Sequence, residues 1–243
     1  MEITASGGST GVLILVLGFV ILIVVLVWMT STRGRVRPAR EETLFQLGYG
    51  LADPPPPQLV EQITAMRRHT TAGAIELRRV YYRPISGARL YLFDLHLGGT
   101  SSDPGTQLAV HSPTLDLPRF ALTPMPGVLK SGGMMASLLD RAMDAAAAHT
   151  GMTELDFADD PEFDETYVTF AEDEAAVRAL LDSSMRAALL QSQRQYTLDG
   201  YANTLGIAKT IAAQATAWTE DELYAAQEDA ERFLALFRRS RFV

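Results

Sequence analysis

The chain has no cysteine, which excludes disulfides, thiolate metal sites, iron–sulfur ligation and cysteine nucleophiles. Lysine is nearly absent too: only Lys130 and Lys209 stand against 19 arginines. There are four histidines, His69, His96, His111 and His149, so few imidazoles are available for a metal centre. No Walker loop is present, since Gly98-Gly99 and Gly132-Gly133 are too sparse to cradle a phosphate. Ser101, Ser102 and Ser131 have no nucleophile-elbow context. No internal repeat recurs. What is there is a 243-residue chain of net charge -8, a length that suits one or two domains.

Its apolar residues are unevenly spread. Val12 to Met29 is an uncharged, proline-free run of 18 residues. As a helix it covers about 27 Å, close to the hydrocarbon thickness of a bilayer. It is apolar on all faces, unlike a surface helix of a soluble domain. No basic residue precedes it, it is long for a signal-peptide core, and no small-x-small site follows, so an uncleaved transmembrane helix over 11–30 is expected. Trp28 sits at the end of the run, where an indole favours the interface. Arg33, Arg35, Arg37 and Arg40 follow at once, which places residues 1–10 outside and the C-terminal side in the cytoplasm. Gly18, Phe19 and Trp28 are the candidate helix contacts with other membrane subunits.

Beyond the anchor, 31–57 reads as a juxtamembrane linker and 58–243 as a cytoplasmic α+β domain, with two halves, 58–150 and 151–243, as an open option. Glu41–Tyr49 reads as a short helix ended by Gly48, with Leu44, Phe45 and Leu47 at the membrane interface. Pro54–Pro57 is a stiff spacer, and Pro57 suits the first turn of a helix carrying Leu59, Ile63 and Met66 on one side. Ala74–Tyr82 and Arg89–Leu97 read as strands, followed by Gln107–His111 and Arg119–Thr123, an antiparallel meander. Met134–Ala148 reads as a helix. Thr153–Phe157 and Thr166–Phe170 are short strands. A second helix from Glu172 has Val177, Leu180, Leu181, Ser184 and Ala188 as its buried stripe. Asp199-Gly200 carries a hairpin signal between Arg194–Leu198 and Ala202–Ala208. Thr219 and Glu222 form a capping box for a last helix whose apolar face is Leu223, Ala226, Ala230, Phe233, Leu234 and Phe237. The expected fold is thus α+β: an antiparallel sheet packed with about three amphipathic helices after one membrane span.

Four stretches, Tyr91–Asp94, Leu117–Pro124, Leu155–Val168 and Asp173–Arg178, occur in an order that resembles a loose group of bacterial single-span membrane proteins. Those proteins carry a cytoplasmic domain of unknown function. The resemblance covers about residues 45–237, and its motifs are packing motifs, so it implies architecture and assigns no catalytic residue. The Gly127–Gly133 segment with Met134-Met135 departs from that pattern and reads as a flexible apolar edge for docking.

Candidate chemistry is thin. His96 and His111 lie on candidate neighbouring strands, and Asp94 shares a face with His96, so these three are the only nameable metal ligands. Half-exposed strand histidines are the plainer reading. The acidic run Glu154, Asp156, Asp159, Asp160, Glu162, Asp164 and Glu165 lacks the glycine of a calcium loop, is broken by Pro161, and reads as a solvated loop. Residues 151–243 hold 18 acidic against 8 basic groups, a surface that repels nucleic acid and anionic lipid. The sequence therefore leads to a non-catalytic accessory or scaffold subunit in the inner membrane, without cofactor. Its partners would be integral membrane subunits and the lipid bilayer. A tethered ligand- or protein-binding sensor is the alternative.

Overall fold

The computed structural model describes residues 41–67, 74–97, 105–125, 151–192, 194, 196–209 and 218–239. The expected span, its contacts Gly18, Phe19 and Trp28, the arginines at 33, 35, 37 and 40, and the expected helix with Met134 and Met135 lie outside the described residues. Among the described residues, no helix is long and apolar enough to cross a membrane.

The described residues form one nine-stranded sheet and six helices, so the α+β class holds. In chain order these are α1 (Glu41–Gln46), β1 (Gly50–Leu51), α2 (Pro57–Arg67), β2 (Ile75–Ile85), β3 (Ala88–Leu97), β4 (Gly105–His111), β5 (Leu117–Pro124) and β6 (Thr153–Leu155). Then come α3 (Pro161–Thr166), β7 (Tyr167–Ala171), α4 (Glu174–Leu180), α5 (Ser183–Leu190), β8 (Tyr196–Ala202), β9 (Thr204–Lys209) and α6 (Glu220–Arg239). The strand order is β1-β2-β3-β4-β9-β8-β5-β7-β6, and every neighbouring pair is antiparallel.

This order corrects two expectations. The meander holds only for β2, β3 and β4; β5 is separated from β4 by the two strands of the β8–β9 hairpin. The option of two halves fails for the same reason, because strands of the second half are woven between strands of the first. The folded unit also starts before residue 58. Leu44 and Leu47 are buried in its core and β1 pairs with β2, so only Phe45 of the three expected interface residues points outward.

Both sheet faces are covered. On β3, Leu90 and Leu92 join the larger core under α6, whereas Tyr91, Phe93 and Leu95 join a smaller core under α2. Helix α2 begins with Pro57 and buries Leu59, Ile63 and Met66, as its spacing predicts. Helix α6 buries all six residues of its predicted stripe. Each large one, Leu223, Phe233, Leu234 and Phe237, contributes roughly 1.5–3 kcal/mol by transfer from water. The capping box forms: the Thr219 amide donates to Glu222 at 2.7 Å, and the Glu222 amide donates to Thr219 Oγ1 at 3.3 Å.

The expected turn at Asp199-Gly200 is instead mid-strand. The β8–β9 turn lies at Ala202-Asn203, where Ala202 takes φ +49°. A glycine is needed at position 200 for a different reason: the Phe120 ring, its cross-strand partner, fills the space a side chain there would take. A Cβ there would stand 2.0 Å from a ring carbon. The acidic run is also more ordered than a solvated loop. Asp160 caps α3, whose first residue is Pro161, so the proline starts a helix. The long helix expected from Glu172 is two helices. Asp182 accepts from the Met185 amide at 2.7 Å and restarts the phase, so Met185, Arg186 and Leu189 are buried in place of Ser184 and Ala188.

Candidate functional site

At one end of the sheet, α2, the end of β4 and the β8–β9 turn enclose a cleft of about 410 Å³. The local sequence explains its walls. Gln58, Glu61 and Gln62 occupy one side of α2 at helical spacing, while the buried stripe faces the sheet. His111 ends β4, and Pro113 follows it in the short link to β5. That link must pass the tip of the β8–β9 hairpin, and Asn203 fixes the crossing. Its side-chain amide donates to the carbonyls of Leu115 at 2.8 Å and Ser112 at 3.3 Å, and its own carbonyl accepts from the Ser112 amide at 2.9 Å. Arg238 of α6 clamps the same corner by donating to Thr114 and Ser112 hydroxyls and to the Ser86 and Gly87 carbonyls.

The polar centre of the cleft is a three-residue cluster. His111 Nδ1 lies 3.2 Å from Gln62 Oε1 and 3.1 Å from Thr204 Oγ1, and the Thr204 hydroxyl donates to the same Gln62 oxygen. Because Gln62 Oε1 only accepts, the histidine hydrogen belongs on Nδ1, and Nε2 is left as an acceptor. Burial pushes the His111 pKa below its usual value, and the nearby Arg89 cation pushes it the same way. Both effects favour the neutral ring.

No family model, curated protein or solved structure matches this chain. What the cleft can do follows from its side chains. An imidazole acceptor, two glutamine amides, the Glu61 carboxylate and the Tyr201 phenol suit a small polar molecule held by hydrogen bonds.

The three metal candidates do not come together. Asp94 and His96 share one sheet face with Leu92, but His111 lies on the other face with Ala109. His111 pairs with Arg89, seven residues from His96 along β3, which is roughly 23 Å at strand rise. Asp94 is engaged by Arg79 and by the Thr106 hydroxyl at 2.6 Å. Among the described residues, no group of three or more His, Asp or Glu could hold a metal ion.

Two buried charge clusters escape a sequence reading. Under the end of α2, Arg67 lies 2.6 Å from Asp199 of β8, an ion pair by distance with no aligned hydrogen bond to that carboxylate oxygen. On the other face, Arg186 of α5, only 6% exposed, donates to Asp159 at 2.6 Å and Asp160 at 2.9 Å and covers the Phe157 ring at 4.7 Å. This pair turns part of the acidic run into structure. Asp164 likewise accepts from the Phe157 amide at 2.8 Å, and its carboxyl is raised by burial against that bond. Arg119 of β5 is the exception: Nε and Nη2 are buried without a hydrogen-bond partner, and Nη1 reaches Glu172 only at 3.8 Å.

Proposed function

We propose that the protein is a non-catalytic accessory subunit of a bacterial membrane complex, such as a respiratory or photosynthetic assembly. One N-terminal helix spans the inner membrane and the α+β domain lies on the cytoplasmic side. The observation that carries this reading is the uncharged run Val12–Met29 followed within eleven residues by four arginines and then, at Glu41, by a folded domain. A lone span gains stability by packing against other helices, which makes integral membrane subunits its natural partners. Mild solubilisation followed by identification of co-purifying subunits tests it. Co-purification of an integral membrane protein is expected; a monomer at every detergent strength overturns it.

The cleft at His111 favours a second reading, a tethered domain that senses a small polar ligand. Native mass spectrometry of the full chain released from detergent tests this. A bound small molecule that is lost with Gln62→Leu supports ligand sensing, and a bare chain from both versions counts against it.

A further inference from the structure

The two edges of the sheet differ in character. The β1 edge displays three of the four exposed large hydrophobic residues among the described residues: Phe45, 50% exposed, Leu51, 49%, and Tyr82. Phe45 meets the Tyr81 ring edge-on at 6.4 Å, and Leu51 pairs with Tyr81. At the far edge, α3 and the link from β6 to it carry Asp156, Asp159, Asp160, Glu162, Asp164 and Glu165, against which Arg186 supplies one cation, paired with Asp159 and Asp160. Eight inter-strand spacings separate the edges, roughly 38 Å in all.

The apolar edge is poorly built for pairing with another strand. β1 is two residues long, β2 is bulged at Arg79, whose φ is +48°, and Pro84 near its end has no amide to donate. What the edge offers is side chains. It also lies at the tether: Phe45 belongs to the helix that opens at Glu41, and only Ser31 to Arg40 separate that residue from the expected span. A linker of ten residues reaches at most about 36 Å, so on the membrane-anchored reading Glu41 stays within that distance of the end of the span.

We infer that the β1 edge, through Phe45 and Leu51, rests on the lipid surface, while the acidic β6 edge points away from it. This inference depends on the membrane-anchored reading above. Lipid is the favoured occupant because the patch is small and apolar. Glu41 and Glu42 lie beside it, and Arg78 and Arg79 nearby are paired with Glu76 and Asp94. That leaves only the two carboxylates of Glu41 and Glu42 in excess at this edge, fewer than at the far edge, so an anionic leaflet repels the far edge more strongly within a Debye length.

The absence of cysteine makes the test direct. Phe45→Cys, Leu51→Cys and, at the far edge, Glu165→Cys are labelled one at a time with a fluorophore in the full chain. The chain is reconstituted into phosphatidylcholine vesicles containing about a quarter phosphatidylglycerol. Lipid-borne nitroxide should quench labels 45 and 51 at least about twofold more than label 165, and iodide should show the reverse order. Equal access of iodide to all three labels overturns the inference. Shielding of 45 and 51 from both quenchers also overturns it, in favour of a protein occupant. Alkaline extraction separates this from the anchored reading: a chain washed off the vesicles sinks both, whereas a retained chain with iodide-accessible 45 and 51 sinks only the lipid contact.

Discussion

Gly200→Ala places one methyl group where the sheet has no room for it. The new Cβ would stand 2.0, 2.6 and 2.8 Å from three carbons of the Phe120 ring. That ring is 2% exposed and stacks on Phe237 at 5.8 Å and 26°, so it has no open side to move into. Displacing it forces an off-rotamer side chain or a backbone shift, about 1–3 kcal/mol. Weakening the aromatic stack adds about 0.5–1.5 kcal/mol. Against this, removing a glycine from a strand returns roughly 0.5–1 kcal/mol. The net expectation is a loss of about 2–3 kcal/mol. At about 2–4 °C per kcal/mol for a domain of this size, the melting temperature falls by roughly 4–12 °C. The decisive measurement is a double-mutant cycle by urea unfolding of the full chain in detergent, followed by near-ultraviolet circular dichroism. Phe120→Ala alone should cost about 3–5 kcal/mol, within the reserve of an ordinary domain. In that background Gly200→Ala should become neutral or stabilising, because the clashing ring is gone. If it costs the same in both backgrounds, the ring over the glycine is not why the position needs a glycine.

Arg119→Met should stabilise the fold by about 1 kcal/mol, since it replaces a buried guanidinium with two unpartnered nitrogens by an apolar chain of similar length; a lower unfolding midpoint would refute this. Arg186→Ala should cost about 2–3 kcal/mol in thermal melts, through loss of its two aspartate bonds and of its contact with Phe157, whereas Asp159→Ala, at a 70% exposed carboxylate, should cost under about 1 kcal/mol. His111 should titrate below about 6.5 in ring-proton NMR. With its folded pKa depressed, its contribution is complete above the unfolded value and stability falls as pH drops below that value, so His111→Asn should flatten the loss between about pH 6.5 and the lower folded pKa. A wild-type ring that titrates at or above the unfolded value would refute that direction.

The elements legible in the sequence are those fixed by local chemistry. Pro57 at a helix start and the Leu59–Ile63–Met66 spacing specify α2 without help from the rest of the chain. Thr219, Glu222 and the stripe ending at Phe237 do the same for α6. Local sequence misleads where a distant residue decides a local conformation. Asp199-Gly200 has the composition of a turn, but Phe120 and Arg67 hold it in a strand. Pro161 interrupts a loop in sequence, yet with Asp160 before it the same residue opens a helix. The single helix that apolar spacing predicts from Glu172 breaks because Asp182 is a good cap, a signal local to the sequence. His111 was already a candidate ligand, but its partners Gln62 and Thr204 lie 49 and 93 residues away in sequence, so the cleft required the strand order.

The placement of β8 and β9 between β4 and β5 sets a timetable for synthesis. A nascent chain that has emerged only as far as β7 already carries β4 and β5, each with a bare edge awaiting a neighbour that has not been made. Two open edges on an apolar sheet invite pairing with other chains, and the remedy arrives only when Lys209 clears the ribosome. Truncation anywhere before that residue therefore leaves a sticky, gapped sheet rather than a smaller working domain.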